Sequence, residues 1–290
     1  MKLATYLHAG RQSFGLVTSD GLVDLSVRLP GVDSIRSLLE RQALADAGAF
    51  VNAAADHHLA EVTLLPPLPD AGKILCAGVN YEDHRKEGDQ PKAPYPTFFM
   101  RFNDSHVGHG QALERPSVSE QFDYEGELAV VIGSTAEGVS REEALSHVVG
   151  YSLYNDGSVR DWQTHTSQWG PGKNFDRSGA FGPYLWTVDE VPDITASRLI
   201  TRLNGEVLQQ AVVRDMTFDI ATLVSYASTF TTLRPGDVIV TGTPAGVGIA
   251  RNPQVFMRPG DVIEIEVTGL GVLSNPVVES SRAAQEPSWL

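Results

Sequence analysis

The stretch Phe122-Asp123-Tyr124-Glu125-Gly126-Glu127-Leu128-Ala129-Val130-Val131-Ile132 carries the most chemistry per residue in the chain. Side chains alternate faces along a strand, so Asp123, Glu125 and Glu127 would share one face with Ala129 and Val131. Three carboxylates in line beside a core are costly unless a cation neutralises them, and a divalent ion held by hard oxygens does so directly. Gly126, between the two glutamates, reads as a bulge or a close backbone approach. Asn155-Asp156, after the strand-like run 148–154, offers a further carboxylate. Glu125, Glu127 and Asp156 together would leave open positions on an octahedral Mg2+ or Mn2+ for water and substrate. A strand end emerging into water, its acids simply solvated, is the competing reading of the same residues.

His84-Arg85-Lys86-Glu87 is the second chemical element. Residues i and i+3 share a helix face, so Glu87 could accept from one imidazole nitrogen of His84 and raise the basicity of the other. That makes His84 a candidate general base and Glu87 its orienter, although such a pair is also what a solvated helix face looks like. His106 and His109, either side of Gly108, could line a pocket, and Arg101 is a candidate for holding a substrate carboxylate.

Two blocks must position these groups. Residues 1–65 read as a small α+β module, with strand-like runs at 3–7, 14–18 and 22–25, and a helix capped by Asp33 or Ser34 that runs through about Leu44. Pro66-Pro67-Leu68-Pro69-Asp70 breaks both periodicities and is the best linker candidate, dividing a small N-terminal domain, 1–68, from a larger one, 69–290. From Lys73 onward the pattern is mostly strand, with doubly buried runs at 73–79 and 128–132. Ser140 and Glu143 have capping-box spacing, and 218–230 carries a second helical stripe. Arg234-Pro235-Gly236-Asp237-Val238-Ile239 recurs as Arg258-Pro259-Gly260-Asp261-Val262-Ile263, a tight turn feeding a strand in each case.

Composition narrows the partners. In 290 residues, 36 acidic groups face 22 Lys and Arg, a net charge of −14. A polyanion repels nucleic acid and anionic membrane surfaces, so neither is expected as a partner. An acidic substrate would need a local metal, Arg or Lys. The single cysteine, Cys76, allows no intrachain disulfide and fits a reducing compartment. No signal-length apolar segment opens the chain and no apolar run reaches membrane-spanning length, so a soluble cytoplasmic protein is expected.

From Lys73 to the end the chain resembles the fumarylacetoacetate hydrolase family in its small acylpyruvase and oxaloacetate decarboxylase-like branch. The resemblance rests on segments in the family's order: Gly78-Val79-Asn80-Tyr81-Glu82-Asp83-His84, then Asp123-Tyr124-Glu125-Gly126-Glu127, Asn155-Asp156-Gly157-Ser158-Val159-Arg160-Asp161-Trp162-Gln163 and Gly172-Lys173-Asn174-Phe175-Asp176. Phe181-Gly182-Pro183, Leu203-Asn204-Gly205-Glu206 and Thr241-Gly242-Thr243-Pro244-Ala245-Gly246-Val247-Gly248 follow. The resemblance implies a β-rich α+β fold, a rolled mixed sheet with flanking helices, preceded by the small N-terminal module, and a homodimer. It implies Glu125, Glu127 and Asp156 as metal ligands, with Asp123 orienting a ligand or a metal-bound water from behind. Lys173 is implied to face the site, Gln163 to bind substrate, Thr243 to lie at the substrate carboxylate, and His84 with Glu87 to activate water. The implied activity is cleavage of the C–C bond of an acylpyruvate or similar β-diketo acid, a small-molecule 2-oxo acid, giving pyruvate and a carboxylic acid. Oxaloacetate decarboxylation and isomerisation or hydration of a 2-hydroxy-dienoate are the alternatives that the same site allows.

Overall fold

The computed structural model describes residues 1–282. The architecture is a strand-rich α+β fold built on an eleven-stranded mixed sheet and a five-stranded sheet. Gly126–Ile132, buried at every position, is central in the large sheet. It pairs antiparallel with Val148–Asn155 on one side and with Val238–Val240 on the other. Val238–Val240 in turn pairs in parallel with Ile74–Gly78, whose other neighbour is the antiparallel strand Thr97–Met100 at the sheet's end. The runs read as doubly buried are these inner strands, covered on both faces as their unbroken apolar sequence requires.

The acidic stretch is not one strand. Phe122–Asp123 pairs with Ser158–Val159 in a separate two-stranded ladder, and Gly126–Ile132 belongs to the large sheet. The ladder is interrupted at Tyr124 and Glu125, so the expected in-line face of Asp123, Glu125 and Glu127 does not exist. Glycine at 126 answers to a close approach: a Cβ there would stand 2.0 Å from Thr201 Oγ1 of the second sheet.

Helices are short. Ser34 caps Ile35–Glu40, which ends four residues before the expected limit because Gln42 adopts φ +56°; a second turn, Leu44–Gly48, resumes the apolar period. Ser140 forms the expected capping box over Arg141–Ala144. Asp219 caps Ile220–Phe230, the longest helix among the described residues. The two Pro-Gly turns match each other: Gly236 and Gly260 have φ +85° and +98°, and Asp237 and Asp261 accept the Arg234 and Arg258 N–H groups at 2.8 and 2.7 Å.

The N-terminal segment is continuous with this frame. Lys2–His8 pairs antiparallel with Gly179–Thr187 of the large sheet. Pro66, Pro67 and Leu68 are buried, and the Pro67 carbonyl accepts from Thr5 Oγ1 at 2.7 Å, so the proline run is a packed crossing and not an exposed linker. Among the described residues no helix is long and apolar enough to cross a membrane.

Candidate metal centre and pocket

Two inner segments converge on one cavity. Glu125 and Glu127 come from the break before and the start of Gly126–Ile132, and Asp156 from the residue after the neighbouring strand. The Asp156 N–H donates to the Glu125 carbonyl at 2.9 Å, which fixes the two segments together at this point. Each of the three acids offers a carboxylate oxygen, and these oxygens lie within 4.8 Å of one another. All three are buried.

Cations surround them. Lys173 Nζ lies 2.5 Å from Glu125 Oε2 and 2.6 Å from Asp156 Oδ2. Arg101 Nη1 donates to Asp156 Oδ1 at 2.6 Å. Arg160 Nε donates to Asp123 Oδ2 at 2.8 Å, and its Nη2 stands 2.8 Å from Glu125 Oε1. Burial alone would raise Glu125, yet Arg160 and Lys173 hold it far below the usual carboxylate range. Glu127 goes the other way, pushed up by burial and then by Asp156 and Glu125, with only the Gly242 N–H at 2.6 Å and the more distant Lys173 charge in its favour. Burial would lower Lys173, but Asp156 and Glu125 raise it, so it stays an ammonium.

This donor set fits a divalent ion. Asp123, Glu125, Glu127 and Asp156 are four carboxylates against three cations, Arg101, Arg160 and Lys173, and Glu127 carries the surplus. A divalent ion on hard oxygens removes that surplus and leaves the cluster net positive, ready for a carboxylate ligand.

The cavity beside the cluster measures about 420 Å3. Of the residues singled out in the sequence, His84, Glu87, Gln163, Lys173 and Thr243 line it together with the three acids. His84 and Glu87 sit on the short helix Glu82–Glu87, and Nδ1 of His84 meets Glu87 Oε1 at 2.7 Å. Glu87 Oε2 also accepts the Gly246 N–H at 2.8 Å, tying this helix to the glycine-rich loop. Gln163 Oε1 accepts from Arg160 Nη1 at 2.9 Å. The Thr243 hydroxyl donates to the Gly126 carbonyl at 3.0 Å and accepts from Gln209 Nε2 at 2.8 Å, so its proton faces the backbone and not a ligand.

Three expectations need correction. Arg101 does not reach the cavity: its side chain is 0% exposed and is taken up by Asp156, the Gly157 carbonyl, Ser105 and Ser178. It holds Asp156 in place and cannot also hold a substrate carboxylate. Asp123 accepts from Arg160 and from the N–H groups of Tyr124, Gly248 and Ile249, so it anchors Arg160 and the loop 242–248 and does not join the group of converging oxygens of Glu125, Glu127 and Asp156. His106 is buried against the Tyr154 hydroxyl, and His109 Nδ1 accepts the Ser274 N–H at 3.1 Å; neither lines this cavity.

Arg160 is the functional group that residue types did not single out. It lines the cavity, is buried, and its Nη2, though close to Glu125, makes no well-directed hydrogen bond among the described residues. Its signal was present: an arginine four residues after Asp156, just past a buried strand, needs an anionic partner.

The comparisons with known proteins show the family. The model of the fumarylacetoacetate hydrolase C-terminal family matches residues 73–278. A mitochondrial oxaloacetate tautomerase of Xenopus laevis is 39% identical over 274 residues, covering 91% of this chain and 85% of that protein. The structure of a 5-carboxymethyl-2-hydroxymuconate delta-isomerase from Mycobacterium smegmatis superposes with a TM-score of 0.78 at 30% identity, over 97% of this chain and all of that one. Maleylpyruvate hydrolase from Sphingobium sp. SYK-6, solved with manganese(II) and pyruvate, gives a TM-score of 0.81 at 29% identity over the same shares. The chain belongs to the fumarylacetoacetate hydrolase family of enzymes.

Proposed function

We propose that this enzyme moves a proton between carbon and oxygen of a small 2-oxo acid, as a tautomerase or isomerase of the oxaloacetate or 2-hydroxy-dienoate class. The observation that carries the reading is that one 420 Å3 cavity brings the hydrogen-bonded His84–Glu87 pair opposite Glu125, Glu127, Asp156 and Lys173. The tautomerase likeness over 91% of the chain and the isomerase neighbour favour it.

In this reading Glu125, Glu127 and Asp156 hold a divalent ion, Mg2+ or Mn2+. When bound, such an ion polarises a carbonyl oxygen as a Lewis acid. The chain's own residues do the rest. Glu87 accepts from His84 Nδ1, fixing the tautomer that leaves Nε2 free to take or return a proton at the carbon beside the 2-oxo group. Lys173 presents a fixed positive charge where negative charge develops on oxygen, typically a large contribution to barrier lowering. Arg160, braced by Asp123 and Gln163, adds a second buried cation facing the cavity. The reading includes a homodimer and a reducing, cytoplasmic setting; the single buried Cys76 fits the latter.

Hydrolysis of an acylpyruvate to pyruvate and a carboxylic acid is the second reading, favoured by the manganese- and pyruvate-bound maleylpyruvate hydrolase neighbour. There His84 would take its proton from water instead of carbon. Product-resolved NMR of oxaloacetate, 2-hydroxy-dienoates and acylpyruvates with Mn2+ separates the two readings. In either one, His84→Ala should lower kcat by about 100-fold or more while Mn2+ affinity is unchanged. Equal loss of both would make His84 a ligand. Mn2+ binding without turnover of any of these compounds would turn the protein into a non-catalytic binder.

A further inference from the structure

Trp169 separates two cavities. It caps the short helix Gly170–Lys173, so it is four residues from the Lys173 ammonium. The Cζ3–Cη2 edge of its indole lies against the backbone of Gly78: a Cβ at 78 would fall 2.4 Å from Cζ3 and 3.0 Å from Cη2. No other residue type at 78 leaves room for the ring in this position. Phe99 closes the remaining gap, with its ring 5.6 Å from Trp169 in an edge-on arrangement and its face 4.9 Å from Lys173 Nζ. These two rings therefore bind the wall to the charged end of the site.

The same two rings line a second space on their far side. That groove, about 600 Å3, is walled by Phe98, Met100, Phe102, Trp162 and Phe175. Trp169 and Phe99 line both cavities, so their rings form the wall that the two share. On the inner side, Ala77, Val79, Val247 and Ile249 complete a small apolar chamber beside the acids. A substrate whose oxo-acid end lies at the acids meets the indole with whatever it carries at the other end.

We propose that Trp169, held on Gly78 and braced by Phe99, is the specificity-determining residue of this site. It restricts the substrate to short 2-oxo acids and excludes those bearing an aryl group, which the aromatic groove beyond the wall would otherwise accept. This rests on the reading of the cavity as a 2-oxo acid site. The choice of reaction is independent of it.

The test compares binding of pyruvate and phenylpyruvate to the Mn2+-supplemented protein by calorimetry, for the wild type, Trp169→Ala and Trp169→Phe. The expected result is that wild type prefers pyruvate, and that Trp169→Ala shifts the ratio of the two Kd values toward phenylpyruvate by more than about tenfold. Trp169→Phe, which keeps a ring on Gly78 and is the safer variant to fold, should shift it less in the same direction. The ratio within each protein is the readout, so a general loss of affinity does not mimic the effect. A wild type that binds phenylpyruvate as tightly as pyruvate, or a ratio unmoved in both variants, overturns the proposal. Discrimination in binding with no turnover of any short 2-oxo acid leaves the wall standing and removes the reaction proposed above. Failure of wild type to bind either acid overturns both.

Discussion

At the scale of single residues, Asp156 and Glu127 are held in opposite ways, and the difference is testable. Asp156 is gripped by Arg101 on one oxygen and Lys173 on the other, each within 2.6 Å. Truncating one partner of a buried pair leaves a charge uncompensated, so Arg101→Met should cost about 3–5 kcal/mol in denaturant unfolding. It should also weaken Mn2+ binding by about 10–100-fold, as loss of a group that orients a ligand does. Wild-type Mn2+ affinity in that variant would mean that Asp156 needs no orienting. Glu127 is the reverse case. Its carboxyl is raised by burial and then by Asp156 and Glu125, so the ionised form is disfavoured in the ion-free protein. Glu127→Gln removes that charge at nearly constant shape. Thermal unfolding of the ion-free variant should occur at or above the wild-type temperature, while Mn2+ binding, read by electron paramagnetic resonance, drops by more than the about 100-fold expected for an outer partner. Residue types offered the acids and the His-x-x-Glu turn as separate candidates, because acids beside a core and such a turn constrain chemistry wherever they occur; it was the family resemblance that brought Glu125, Glu127, Asp156, His84, Glu87 and Lys173 to one expected site. The need of Arg160 for an anionic partner was legible, but which of Arg101 and Arg160 faces the cavity was not. Both arginines sit next to buried segments, and only the fold decides which one faces the cavity and which is walled in behind Asp156.

At the scale of elements, boundaries were legible where a local device sets them and obscure where tertiary context does. The strand around 128–132 follows from its apolar run. The interruption at Tyr124–Glu125 does not, because it arises where the chain passes from the two-stranded ladder to the large sheet. The helix expected from residue 34 was overextended since its apolar stripe continues past Gln42, where the backbone turns left-handed. The helix Ile220–Phe230 is set by its cap: Asp219 Oδ1 accepts the Thr222 N–H at 2.9 Å and the Thr222 hydroxyl at 2.7 Å. Burial would raise the Asp219 carboxyl, but these bonds and Arg141 lower it. A folded-state value below the unfolded one stabilises the protein above the unfolded value, near 3.9, and that contribution is lost as pH falls through the folded value. Asp219→Ala should therefore destabilise by about 1 kcal/mol near neutrality. The gap to wild type should close as unfolding is repeated below about pH 4. A gap independent of pH would show that the cap works through packing and not through its charge.

At the scale of the whole molecule, the question is whether residues 1–68 stand apart from 69–290. The proline run argues for a division by composition, yet the physical joins cross it. Lys2–His8 supplies the neighbour of Gly179–Thr187, with Leu3 opposite Leu185. Leu3, Phe14, Leu16 and Leu39 share one apolar cluster with Ile74, Cys76, Val131, Tyr154 and Phe181. Tyr154 stands directly opposite Glu127 in the ladder and two residues before Asp156, so the N-terminal segment packs on the sheet face that carries Glu127 and supports the acidic cluster from beside it. Expressed alone, 69–290 would expose the free edge of Gly179–Thr187 together with the uncovered face of Tyr154, Phe181 and Leu185, an arrangement that invites strand pairing between chains. The truncated chain is expected to elute from gel filtration as aggregate, to bind a hydrophobic dye and to lose Mn2+ affinity. Limited proteolysis of the full chain should spare 66–68, whose backbone is buried, and begin at exposed loops instead. A monodisperse 69–290 with wild-type Mn2+ affinity would reverse this argument. The proline run would then be a boundary between two independently folding units, and the strand Lys2–His8 a dispensable addition to a sheet already complete without it.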